Sequence, residues 1–214
     1  MGDLNDDSRK GQWWTHLSFP LVGRGNAGIE ELLGPVVRGL EGLGLGCTGI
    51  APDEWHLSLS KNFPLSYMQI DPFVALLKSR LEGTQSIPLS LSLDRPEVFL
   101  GQPKAAGQDG GLEEPQRAFV ALRVTTGIPE LLDLVRAVDG AVAEFGGPGY
   151  YEHPIFHVSV AWAPASQYKT LQTGLTKKGL PGLGGEDGVA ASVFLDHVRV
   201  MCGDGARRYA VPLR

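Results

Sequence analysis

The chain has 214 residues, 43% of them hydrophobic, and a formal net charge of −5. That is apolar enough for a sizeable core, and the acidic balance excludes a globally basic nucleic-acid surface, so any phosphate contact must come from a local patch. No apolar run is long enough to span a bilayer, and Met1 to Lys10 lacks the apolar core of a signal peptide, so a soluble intracellular protein without membrane contact is expected.

Residues 1–11 are polar and acidic and read as a disordered tail, leaving residues 12–214 for one domain. Trp13 to Leu21 reads as a strand. From Ala27 to Leu43 the apolar residues Ile29, Leu32, Leu33, Val36, Val37, Leu40 and Leu43 recur at helical spacing, with Pro35 expected to kink or split the helix and Gly44 and Gly46 ending it. His56-Leu57-Ser58-Leu59-Ser60 reads as a strand. Asp71-Pro72 predicts the start of a helix that runs to about Leu81, a capping carboxylate followed by proline at the first position.

Ile87 to Leu93 alternates leucine and serine and reads as a strand, with another at Glu97 to Leu100. Gly101 to Pro115 is expected to be a mobile loop. Arg117 to Thr125 predicts a strand and Pro129 to Phe145 a helix. His157-Val158-Ser159-Val160-Ala161 is a second strand of the His56 kind. Pro164 to Leu175 predicts a short helix and Gly179 to Gly188 a flexible loop. Val189 to Leu195, His197 to Met201 and Arg207 to Leu213 close the chain as strands. Each half of the sequence thus carries a strand, a helix and a His-x-Ser strand. The expectation is an α+β fold of two pseudo-symmetric lobes of antiparallel sheet with flanking helices around a central cleft.

Side chains in a strand alternate between faces. His56, Ser58 and Ser60 therefore share one face while Leu57 and Leu59 enter the core. His157 and Ser159 share a face in the same way, opposite Val158 and Val160. A half-buried strand usually exposes bland polar residues. Here each exposes an imidazole and a hydroxyl two positions apart. Brought together, His56 and His157 can move two protons while Ser58, Ser159 and Ser60 hold a phosphate. His16 has no duplicated serine partner and reads as structural, His153 as an exposed loop residue, and His197 carries no signal. Cys47 and Cys202 read as free buried thiols, and no carboxylate cluster accompanies the motifs, so neither a metal nor another cofactor is expected.

Four stretches carry a family resemblance: Gly11 to Phe19, His56 to Ser60, Gln69 to Leu81 (Gln-Ile-Asp-Pro-Phe-Val-Ala-Leu-Leu-Lys-Ser-Arg-Leu) and Tyr150 to Trp162 (Tyr-Tyr-Glu-His-Pro-Ile-Phe-His-Val-Ser-Val-Ala-Trp). They span most of the chain. Paired His-x-Ser motifs resemble the two-histidine (2H) phosphoesterase superfamily, and within it the U6 small nuclear RNA phosphodiesterase family of 3′–5′ exoribonucleases. The resemblance implies a nuclear, metal-independent enzyme that trims the uridine-rich 3′ end of that RNA and leaves a 2′,3′-cyclic phosphate, which some members open further. It implies a single-stranded RNA partner, and it carries a base-stacking role to Tyr151, with Tyr150 the nearby competitor; a monomer is expected. The motif residues alone also fit a general RNA 2′,3′-cyclic phosphodiesterase or ligase of the tRNA-repair type, or a non-catalytic RNA 3′-end binding module.

Overall fold

A computed structural model describes residues 11–101, 116–178, 190–203 and 205–214. Most of the expected tail, nearly all of the loop from Gly101 to Pro115 and the loop from Gly179 to Gly188 lie outside the described residues. In chain order the elements are β1 (Gln12–Pro20), α1 (Ile29–Gly42), β2 (Thr48–Gly49), β3 (His56–Ser58), β4 (Phe63–Ser66), α2 (Tyr67–Arg80), β5 (Ile87–Ser92), β6 (Glu97–Leu100), β7 (Arg117–Thr126), α3 (Ile128–Glu144), β8 (His157–Pro164), α4 (Tyr168–Lys178), β9 (Ala190–Leu195), β10 (His197–Cys202) and β11 (Arg207–Pro212). The class is α+β. None of the helices among the described residues is long and apolar enough to cross a membrane.

The strands form one antiparallel path in the order β11-β10-β1-β3-β8-β7-β5-β9, with β4 also beside β1, β2 beside β8 and β6 beside β7. The two motif strands, β3 and β8, are direct neighbours at its centre. The first lobe is β3, β1, β10, β11 and β4; the second is β8, β7, β5, β9, β2 and β6. The lobes do not coincide with the halves of the sequence. β5 comes from the first half but lies in the second lobe, and β10 and β11 come from the end but complete the first. Helix α1 likewise packs on β2, β8 and β9 of the second lobe, whereas α2 packs on β4 and β11 of the first. The sequence order repeats; the lobes are built by exchange.

Burial explains why the elements hold. Leu57 and Val158, opposite each other in the β3–β8 register, are each about 1% exposed. Full burial of side chains of this size is worth roughly 1.5–3 kcal/mol each. Phe63 of β4, Phe73 of α2 and Phe145 just after α3 meet edge to face with centroids 5.4 Å apart, tying both helices to the first lobe.

Two helix expectations change. α1 remains one helix through Pro35, because Ile29, Leu33, Val36 and Leu40 bury a continuous stripe on both sides of it. α2 begins four residues before Asp71. Its cap is Ser66 in a capping box with Gln69, whose Oε1 accepts from the Ser66 N–H at 2.8 Å. Asp71 is therefore not the cap. Its carboxylate accepts from the Tyr209 hydroxyl at 2.9 Å and fastens α2 to β11.

Candidate active site

The antiparallel β3–β8 pairing places Leu57 opposite Val158. It follows that His56 lies opposite Ser159, and Ser58 opposite His157. The four side chains form a square about a local two-fold, all on the open face of the sheet. Directly opposite side chains start about 4.5–5.5 Å apart, so the square is about the size of one phosphate and its ligands.

The two histidines are held alike. His56 Nδ1 donates to the Glu54 carbonyl at 2.7 Å, and His157 Nδ1 donates to the Ile155 carbonyl at 2.6 Å. Each carbonyl is two residues upstream. Each histidine also follows a buried aromatic, Trp55 or Phe156, both 2% exposed. The ring at the preceding position anchors the turn that presents the carbonyl; Trp55 itself donates Nε1–H to the Ile50 carbonyl at 3.0 Å. With Nδ1 engaged, each imidazole directs Nε2 into the cleft. His56, Ser58, His157 and Ser159 line one cavity of about 650 Å³, together with Tyr151, Phe99, Trp162 and Arg117 among others.

The second lobe gives this cavity an aromatic wall. Phe99 stacks on His157 with centroids 4.3 Å apart and planes 10° apart. Trp162 lies under the Arg117 guanidinium at 4.5 Å. Strict alternation from His157 would send Trp162 into the core. A bulge prevents this: Ser159 pairs with Ala121 and Ala161 with Val120, so β8 carries one residue more than β7. Val160 and Ala161 are both buried, and Trp162 returns to the cleft face. Tyr151 stands at the rim, 45% exposed, with Lys61 Nζ 4.7 Å from its ring centroid. Tyr150 lines the same cavity but is tied down. Its hydroxyl donates to the Ser58 carbonyl at 3.0 Å, and burial pushes its phenol well above the usual range.

The structure thus gathers His56, His157, Ser58, Ser159 and Tyr151. Ser60 is not among them, which corrects the expectation that it holds phosphate. β3 ends at Ser58, alternation lapses, and Ser60 is 3% exposed with Oγ accepting from the Leu17 N–H at 2.9 Å. We expect Ser60→Ala to lower stability by about 1–3 kcal/mol, the cost of leaving that buried donor unpaired. For a chain of this size that is a fall of several degrees in Tm; an unchanged melt would contradict the assignment. His153, read as an exposed loop residue, is exposed but lines the same cavity.

His16 does more than pack. Its Nε2 lies 3.2 Å from Ser58 Oγ, and its ring meets His56 edge-on at 5.5 Å. Burial, reinforced by positive charge at His56 and Arg199, lowers its pKa to about 3. It is therefore neutral beside the Ser58 hydroxyl. Burial also lowers the pKa of His56, helped by Arg199 and His157 and opposed by the Glu54 carbonyl. Burial lowers that of His157, opposed by the Ile155 carbonyl and Glu97. Sequence reading took His16 as structural because its partner is 42 residues away. It overlooked Phe99 because β6 shows no clean alternation. The repeated aromatic-His pair, Trp55-His56 and Phe156-His157, was a signal in plain sight.

The fold aligns with Kluyveromyces marxianus Usb1 at a TM-score of 0.62 and 13% identity, covering 96% of this chain and 100% of that one. It aligns with Escherichia coli LigT at 0.54 and 14%, covering 95% and 96%. These likenesses show the two-lobed 2H phosphoesterase fold. In sequence the chain is 30% identical over 72% of its length to the protein named U6 snRNA phosphodiesterase 1 of Rattus norvegicus, and 32% over 72% to that of Bos taurus. Each match takes in 51% of the relative, so the chain spans about half the length of these curated relatives. The HVSL family model, described as an uncharacterised conserved protein, matches residues 8–203, and the chain belongs to that family.

Proposed function

We propose that the protein is a metal-independent 3′–5′ RNA exonuclease that trims the oligouridine 3′ end of U6 small nuclear RNA in the nucleus, acting as a single two-lobed domain and a monomer. The observation that carries this reading is the square of two histidines and two serines, with both Nε2 atoms directed at one phosphate-sized space. The relatives named U6 snRNA phosphodiesterase 1 support the RNA. The Kluyveromyces marxianus protein in complex with uridine monophosphate supports a uridine at the 3′ end.

In this mechanism the 2′-oxygen of the penultimate nucleotide attacks the phosphorus of the terminal linkage. One histidine takes the 2′-hydroxyl proton. The bond from phosphorus to the 5′-oxygen breaks, and the other histidine protonates that oxygen as the terminal nucleoside leaves. The chain then ends in a 2′,3′-cyclic phosphate. Attack and departure lie on opposite sides of phosphorus, which is why one histidine comes from each lobe. Ser58 and Ser159 donate to the non-bridging oxygens, where charge builds in the transition state. Tyr151 stacks on the terminal base.

The test is mass spectrometry of oligouridine with a free 3′-hydroxyl after incubation with the protein. Shortened chains ending in cyclic phosphate are expected. Intact chains would contradict the reading, and would leave cyclic-phosphate substrates or RNA-end binding as the function.

The pH profile follows from the site. The base must be neutral, so rate is lost as pH falls through its pKa. The acid must be protonated, so rate is lost as pH rises through its pKa. Both histidines sit below their ordinary value of about 6.5 in the free protein. The optimum of kcat/KM should therefore lie on the acidic side of about 6.5, while bound phosphate raises both values and moves the kcat profile upward. A kcat/KM optimum well above neutral would contradict this.

A further inference from the structure

The open face of the sheet continues beyond the square into the first lobe. Ser58 lies opposite Ser18 of β1, and Ser18 lies opposite Arg199 of β10. Arg199 Nε donates to Ser18 Oγ at 3.4 Å, so the guanidinium lies over this row. Arg199 pairs with Ala210 and Met201 with Arg208. Arg208 is thus the diagonal neighbour of Arg199 on the same face, and its charge helps to lower the Arg199 pKa. Two strand spacings of about 4.8 Å put β10 about 10 Å from the Ser58 strand.

The two ends of this row differ. On the second lobe Arg123, opposite His157, is neutralised by Glu97 at 3.1 Å. On the other face of β11 Arg207 has Asp71 at 3.6 Å. Among the described residues no carboxylate pairs with Arg199 or Arg208. Arg199 donates instead to the Ser18 hydroxyl, and Arg208 to the Gly205 carbonyl at 3.2 Å. Two like charges, one of them half-buried, are held side by side without a counter-charge among the described residues, in a protein whose net charge is negative. Such a pair is stabilised by an anion that both can reach, and guanidinium groups match phosphate in geometry.

We infer that Arg199 and Arg208 form a second phosphate site, which holds the backbone phosphate of the linkage upstream of the one aligned with His56 and His157. This rests on the RNA reading above and adds a strand direction to it. The terminal base lies against the aromatic second lobe, and the upstream chain runs over the first. It also supplies the local basic patch that an acidic protein needs to hold a nucleic acid.

The test is binding of an all-2′-deoxy uridine octamer, measured by fluorescence anisotropy over a range of salt, with the doubly substituted Arg199→Gln/Arg208→Gln protein. The octamer should bind about tenfold more weakly than to the unmodified protein. The slope of log affinity against log salt should fall by about 0.7, the value for one phosphate contact on a single strand. A deoxyuridine dinucleotide, with a single phosphate, should lose far less. Unchanged octamer affinity and slope would overturn the inference, as would an equal loss with the dinucleotide, which would put the arginines at the first phosphate. If the double variant does not fold, the exposed Arg208→Gln alone makes the same comparison, while the charge-keeping Arg199→Lys should weaken octamer binding and leave the slope unchanged. Cleavage plays no part here. Unmodified protein that binds the octamer with the expected slope but leaves oligouridine uncut refutes the exonuclease and keeps the site; the converse refutes the site alone.

Discussion

Alanine at His157 is expected to lower kcat/KM for oligouridine by at least about a hundredfold, the usual scale for a general acid or base. His56→Ala should do the same. Neither side chain is part of the packed core: the buried partners in the two strands are Leu57 and Val158. The fold should therefore survive, losing the single bond to the Glu54 or Ile155 carbonyl, worth about 1 kcal/mol. The double variant should be little worse than either single one, because in the proposed mechanism acid and base act in one event and removing either disables it. A circular dichroism spectrum matching that of the unmodified protein, together with the rate loss, separates chemistry from misfolding. Near-normal turnover in either variant would remove that residue from the mechanism.

The motif strands were legible because alternation is a local property. His56 and Ser58, and His157 and Ser159, needed only a pleat to share a face, and the β3–β8 pairing did the rest. What was not legible depended on distant pairing or on departures from regularity. Ser60 obeyed the same alternation on paper, but β3 stops at Ser58 and the Leu17 N–H claims its hydroxyl. Trp162 reaches the cleft only through a bulge, which period-two reading cannot foresee. His16 meets Ser58 because β1 and β3 are neighbours in the sheet. Asp71-Pro72 imitates a helix start, yet the Ser66–Gln69 capping box lies upstream and wins. The α+β class and the two lobes could be read from element order. The exchange of β5, β10 and β11 between lobes could not, since nothing local in those strands says which neighbour each will take.

The duplicated serines bear on what attacks phosphorus. The structure gives Ser58, but not Ser159, a histidine within reach of its hydroxyl: His16 Nε2 at 3.2 Å. That geometry resembles an activated nucleophile. Burial argues otherwise. A ring whose pKa is lowered to about 3 is a poor acceptor for a proton at neutral pH. His16 is thus a poor general base for Ser58, which supports the proposed attack by the substrate's own 2′-oxygen.

The most direct measurement uses an oligouridine whose penultimate nucleotide alone is 2′-deoxy, compared with the all-ribose chain for both binding and cleavage. The modified oligomer should bind with nearly the same affinity, because the contacts proposed for Ser58, Ser159 and Tyr151 do not involve the missing oxygen, while release of the terminal nucleoside should fall below detection. Release at a rate similar to the all-ribose chain would mean that water or a protein hydroxyl attacks phosphorus, and would contradict the roles given to His56 and His157.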